Sequence, residues 1–299
     1  MKTNNLFFAA LLGVAMFLFT ACTDTTTTGA PKKVMSQKAY NQVMTTYDYV
    51  ADRFREGLCK VKKDNKIGFI DKSGKLVIPC QFETGTVSEF SNGMARISAD
   101  TEKGTRYGFI NRKGETQIQP IYYFAADFSE GLARVVDAET RQGGFINPKG
   151  KVVIPLHYDY CGDFHEGLAV AYIKSAEKYG YIDAKEKVVI EPVYRDANDF
   201  SGGVAIVVGT NRAAFVIDKK GDVQFVFGDD YVCKDDVFTD GLVPVRKVDG
   251  WKCGFLNAKG EEVIPCIYDD VDAFEDGKAE VEQDDDIFVI DTKGQKVAE

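Results

Sequence analysis

From Tyr47 to the C-terminus the apolar residues fall in runs of four to six, rich in Val, Ile, Phe and Tyr and bounded by Gly, Asp, Asn and Lys. Runs this short, with this composition, read as strands and not helices. The order of the runs repeats. Phe-x-x-Gly occurs at Phe54/Gly57, Phe90/Gly93, Phe128/Gly131, Phe164/Gly167, Phe200/Gly203, Phe238/Gly241 and Phe274/Gly277, and successive phenylalanines are 36, 38, 36, 36, 38 and 36 residues apart. Such a period marks a chain built from stacked copies of one supersecondary unit.

Within the unit, Gly68-Phe69-Ile70-Asp71 leads into Lys72-Ser73-Gly74-Lys75 and then Val77-Ile78-Pro79. The Lys-x-Gly-Lys segment is hairpin chemistry, because Gly tolerates the positive φ of a tight turn. Pro79 ends ladder pairing, since it has no N–H to donate. Gly108-Phe109-Ile110-Asn111, Gly144-Phe145-Ile146-Asn147, Gly180-Tyr181-Ile182-Asp183 and Gly254-Phe255-Leu256-Asn257 repeat the pattern, and Glu186 replaces the turn glycine in the fourth copy. Each unit is expected to be three strands in a meander with a weaker fourth before Phe-x-x-Gly. Ile70, its equivalents and the repeated Phe form the expected core between units.

The predicted fold class is therefore an all-β repeat protein of seven antiparallel meander units, each about 36 residues long. A seven-bladed propeller is favoured over an open β superhelix. The count of seven suits closure, and neither terminal unit looks specialised as the polar cap an open stack needs. The small size of the unit argues for the open form.

The N-terminus follows another pattern. Lys2 precedes an apolar run from Leu6 to Phe19, followed by Thr20-Ala21-Cys22. The run is too short to span a bilayer as a helix and reads as a signal-peptide core. Small residues directly before a cysteine resemble the lipobox of bacterial lipoproteins, although Phe19 departs from the usual Leu. The resemblance implies that Cys22 becomes the lipidated first residue of the mature chain. The other reading is an ordinary signal peptide cut near Ala21, with Cys22 incidental. The expected organisation is a signal peptide over 1–21, a polar tether and short linker over 22–46, and the repeat domain over 47–299. A short helix is allowed within 32–46.

Composition narrows the function. The hydrophobic fraction of 44% suffices for a core, and the net charge of −9 becomes −10 once residues 1–21, whose only charge is Lys2, are removed. Residues 226–299 hold 20 Asp/Glu and 8 Lys/Arg, a net of −12. No basic stripe exists to neutralise phosphates, which excludes a nucleic-acid partner. Asp229-Asp230, Asp235-Asp236, Asp269-Asp270 and Asp284-Asp285-Asp286 are expected to be solvated turns and not a Ca²⁺ site, because no EF-hand loop frames them. No metal or other cofactor is implied.

Cys59, Cys80, Cys161, Cys233, Cys253 and Cys266 form no repeating framework and are expected to be mostly buried free thiols, with Cys59/Cys80 and Cys233/Cys253 as the available within-unit pairs. The only histidines are His157 and His165, and His165 sits at a variable turn position. Neither a nucleophile elbow nor a Gly-rich phosphate loop is present. No catalytic residue is assigned.

Phe128-Ser129-Glu130-Gly131-Leu132-Ala133, Phe164-His165-Glu166-Gly167-Leu168-Ala169 and Lys151-Val152-Val153-Ile154-Pro155 resemble the WG (tryptophan–glycine) repeat, common in bacterial surface and exported proteins. The resemblance covers residues 47–299. The Trp before Gly is replaced by Ile67, Tyr107, Gly143, Tyr179 and Cys253, and the sole tryptophan, Trp251, lies off that position. The family implies a β-rich scaffold and no defined reaction. The expected function is a non-catalytic exported lipoprotein of the bacterial cell envelope, on the periplasmic or surface side of the outer membrane. It is held to the membrane by its lipid anchor and binds a protein or cell-wall glycan. The alternatives are a structural or stress-related envelope protein with no discrete site, and an enzyme with an unrecognised site.

Overall fold

The computed structural model describes residues 34–297. Each repeat unit is one antiparallel sheet whose strands follow in chain order. Unit 1 comprises Tyr49–Val50, Leu58–Lys63, Lys66–Asp71 and Leu76–Glu83. Units 2, 3, 5 and 6 also have four strands, and units 4 and 7 have three. The expected weak strand before Phe-x-x-Gly is present but short, as at Phe124–Ala125, Asp196–Ala197 and Asp270–Val271.

The sequence motifs have separate jobs. In Phe-x-x-Gly the residue before Gly and the Gly itself both take positive φ: Glu130 is at 52° and Gly131 at 79°. Ser129 and Leu132 exchange both backbone hydrogen bonds around them. This is the two-residue hairpin turn whose twist matches the strands. After Phe-Ile, the Asp or Asn caps the next turn: Asn147 Oδ1 accepts from the N–H groups of Lys149 and Lys151 at 3.0 and 3.1 Å. The Gly before Phe is needed for a different reason. The ladder shifts register on either side of Phe109, and a Cβ at Gly108 would lie 2.3 Å from the Ile118 carbonyl oxygen.

The core lies between sheets. Phe128, Ala133, Val135 and Ile146 of unit 3 pack on Met94, Phe109 and Ile118 of unit 2, all buried. One aromatic pair recurs at these joints. Phe69–Phe90, Phe109–Phe128, Phe145–Phe164, Tyr181–Phe200 and Phe255–Phe274 have centroids 5.0, 4.8, 4.7, 4.8 and 4.7 Å apart. Such tilted contacts add about 0.5–1.5 kcal/mol each to area burial. The expected inter-unit core is thus the observed one.

A polar clasp joins the rims. The turn residue of one unit accepts from the Gly N–H of the next: Glu56 from Gly93, Asn92 from Gly131, Glu130 from Gly167, Glu166 from Gly203 and Asp240 from Gly277, at 2.8–3.0 Å. Unit 5 carries Gly202 at that place and has no side chain to offer.

The seven sheets curve until the first and last units touch. Arg53 of unit 1 pairs with Glu275 of unit 7 at 3.7 Å. The arrangement of the seven sheets among the described residues is propeller-like, with an ion pair and neither a shared strand nor a shared apolar cluster at the seam. The ends are, however, specialised, which corrects the sequence expectation. The helix Gln37–Thr46, N-capped by Ser36, lies on unit 1. Its Val43, with Met35 before it, joins the cluster of Phe54, Cys59 and Ile70. A Cβ at Gly74 would meet Val43 and Met35, where the equivalent Gly114 meets Ile78 of the preceding unit. The helix therefore takes the place of a preceding sheet. At the other end, Lys278 and Glu280 are exposed where unit 6 buries Leu242 and Pro244. Unit 7 thus has a polar outer face, and the unsealed seam follows from caps on both sides. No helix among the described residues is long and apolar enough to cross a membrane.

Candidate functional site

Second-strand cations link units 1 to 4. Lys60 Nζ donates to the Val87 carbonyl at 3.0 Å, Arg96 to the Ala125 carbonyl at 2.8 Å, and Arg134 Nε to Asp163 at 2.9 Å. Burial pushes the Lys60 ammonium below its ordinary range, against the pull of Glu89 and Asp127. Burial also opposes the Arg134 charge, but Asp163 outweighs it and raises the guanidinium pKa. In later units this position holds Val170, Ile206, Pro244 and Glu280. Asp199 therefore has no such cation from unit 4. Its neighbour is His165, 3.4 Å away, and burial raises its pKa against the pull of His165.

Beside this row lies a cleft of about 340 Å³, lined by Lys103, Gly104, Thr105, Arg106, Tyr107, Tyr123 and Phe124. It is formed by the long hairpin of strands Met94–Thr101 and Gly104–Asn111 and the start of unit 3. No carboxylate lines it. Guanidinium groups cover the aromatic rings: Arg141 lies 3.4 Å from the Tyr123 centroid, Arg134 4.9 Å from Phe124, and Arg96 5.7 Å from Tyr107. A smaller cleft of about 150 Å³ adjoins, lined by residues that include Arg134, Arg141, Asp159 and Tyr160. Tyr160 stacks edge-on with Tyr179 at 5.6 Å, and Tyr179 with Tyr172 at 5.1 Å. Units 2 to 4 thus carry a continuous band of aromatic and cationic side chains.

Cys22, the one site residue assigned from sequence, lies outside the described residues, as does the signal-peptide segment 1–21. The two histidines have separate partners: His157 Nε2 lies 2.7 Å from Glu186 and His165 Nε2 3.4 Å from Asp199. Among the described residues all six cysteines are free. Burial pushes the thiols of Cys59, Cys161 and Cys233 up to about 12, which keeps them protonated and poorly nucleophilic at neutral pH. Asp284 and Asp285, at φ 54° and 67°, form the tip of a two-residue hairpin, so their carboxylates point to solvent. The cleft was not assigned from sequence. Its signal was Tyr123, a tyrosine where unit 1 has Glu83 and unit 6 has Asp269.

The fold and its motifs define a β-repeat scaffold. The WG containing repeat matches residues 45–66, 67–100, 107–137, 144–174, 179–208 and 254–285, more than half of the chain. The chain belongs to the WG repeat family. No curated protein matches it. Among solved structures it is similar to BamB from Moraxella catarrhalis, at 10% identity over 78% of this chain and 81% of that one, with a TM-score of 0.42. It is similar to Kluyveromyces lactis Hsv2 with loop 6CD replaced by a Gly-Ser linker, at 9% identity over 76% and 85%, TM-score 0.47. Apo AztD from Citrobacter koseri is similar at 11% identity over 85% and 76%, TM-score 0.41. None of these likenesses bears on function.

Proposed function

We propose that the chain is a non-catalytic binding scaffold, exported to the bacterial cell envelope, lipid-anchored through Cys22, and engaged with a protein partner through units 2 to 4. The observation that carries this reading is the aromatic and cationic band. Arg and Tyr are the residues that dominate binding hot spots, because they combine large rigid area with directed hydrogen bonds. Tyr123 and Tyr160 are about half exposed, at 45% and 50%, while their surroundings are fixed by inter-unit packing. A rigid array that holds such side chains avoids the entropy cost of ordering them on binding. The half-open clefts suit side chains of a polypeptide better than a stacked sugar, because guanidinium groups already cover the ring faces.

Crosslinking in intact envelope, followed by pull-down of the full chain, tests the reading. The wild type is expected to yield one discrete polypeptide partner that a Tyr123→Ala, Tyr160→Ala double variant loses. Identical crosslinks from both would remove it.

A further inference from the structure

We propose that the Arg106 cleft is a carboxylate-binding site that takes an acidic segment of a partner polypeptide. This rests on the scaffold reading and deepens it. The repeat itself shows what is missing. In unit 1, Lys66 stands opposite Glu83 and forms an ion pair with it. In unit 6 the residues at the same register, Lys252 and Asp269, pair at 2.5 Å. In unit 2 the register of Tyr107 with Tyr122 sets Arg106 opposite Tyr123. The cation is kept and the acid is gone.

Arg106 is only 9% exposed. One of its guanidinium N–H groups donates to the Thr105 carbonyl at 2.9 Å, its one side-chain hydrogen bond to protein among the described residues. No carboxylate comes within ion-pairing reach among those residues. The remaining guanidinium N–H groups of Arg106 have no protein partner among the described residues and are left to the cleft, where an incoming anion can accept from them. A guanidinium presents paired N–H donors that match the two oxygens of a carboxylate. Lys103 at the hairpin tip and Arg141 over Tyr123 add positive charge around the cleft. The acid excess of the chain lies in residues 226–299, away from unit 2. The ring faces that a sugar would stack on are covered by Arg96, Arg134 and Arg141, which favours an acidic peptide over a sugar acid.

The test uses fluorescent octaglutamate and octaglutamine peptides with the mature full chain at fixed ionic strength. Octaglutamate is expected to bind at least tenfold tighter than octaglutamine, and Arg106→Met to abolish that difference. Because the charge is unneutralised in the free chain, Arg106→Met is expected to hold or raise the melting temperature. Tyr123→Glu, which restores the acid of units 1 and 6, is expected to raise the melting temperature and to block octaglutamate. This second variant decides the matter if Arg106→Met does not fold. Equal octaglutamate affinity in the wild type and Tyr123→Glu would overturn the proposal. So would an oligoglucuronate that binds tenfold tighter than octaglutamate, which would make the ligand a sugar acid. If the envelope crosslink is lost in the Tyr123→Ala, Tyr160→Ala double variant but kept in Arg106→Met, the carboxylate site fails and the scaffold reading stands.

Discussion

Arg53 Nη1 lies 3.7 Å from Glu275 Oε1, and the pair joins the first and last sheets. Both side chains are substantially exposed, at 32% and 60%, so salt screens their attraction and such a pair contributes about 0–1 kcal/mol. The helix on unit 1 should matter more. Val43→Ala, at a position 2% exposed, is expected to cost about 1–3 kcal/mol. Glu275→Gln should change stability by under about 0.5 kcal/mol. Urea titrations of the two variants compare them. A larger loss from Glu275→Gln would mean that the seam, and not the cap, holds unit 1.

Phe128 and Ile146 meet in the joint between units 2 and 3 and are 2% and 0% exposed. Phe128→Ala should cost about 3–5 kcal/mol and Ile146→Val about 0.5–1.5 kcal/mol. Lys149 is exposed, and its place in the turn is held by its backbone N–H on Asn147. Lys149→Ser should be close to neutral. Thermal melts of the three variants should rank them in that order, and equal small effects would contradict the packing.

Acid should destabilise the chain through its turn aspartates. Hydrogen bonds from the N–H groups of Lys187 and Lys185 hold the Asp183 carboxyl below the usual carboxylate range, and those of Thr140 and Glu139 do the same for Asp137. A depressed folded-state pKa gives stability that is complete above the unfolded value of about 3.9 and is lost as pH falls through the folded value. Asn111, Asn147 and Asn257 make the same bonds in units 2, 3 and 6. Asp183→Asn should therefore keep the turn at pH 7 and lessen the loss below about pH 4. Urea midpoints at pH 7 and pH 3 measure this; an unchanged difference between them would count against the mechanism.

If Cys22 carries the anchor, Cys22→Ser should release the chain from the membrane fraction or stop its processing. The several acyl chains of a lipoprotein give firm attachment where one would be marginal. Labelled fatty acid should enter the wild type only. Incorporation into Cys22→Ser would end the lipoprotein reading.

The joints were legible in the sequence because they repeat: Phe128 and Ile146 recur with equivalents in each unit, and one period suffices to place them. The weak strand at Phe124–Ala125 was legible for the same reason. The caps were present but less visible. Lys278 and Glu280 stand where Leu242 and Pro244 do, yet they fall between the Gly and Phe landmarks that align the units. The pairing of Arg106 with Tyr123 depends on the register shift beside Phe109, which no count of residues supplies. Arg53–Glu275 was not legible at all. Its partners come from opposite ends of the repeat domain, and their approach depends on the summed curvature of seven sheets.

The polar face of unit 7 also limits how this chain can lengthen across generations. A sheet added after it would have to cover Lys278, a charge where the other six units carry Leu, Met or Val, and Glu280, an acid where they carry cations or apolar residues. A sheet inserted before unit 1 would have to displace Val43 and Met35 from Gly74. Duplication or loss of a unit is therefore tolerable only inside the array, where one joint can be copied onto another. Copy-number variation among descendants of this gene should map between units 2 and 6, with both ends inherited intact.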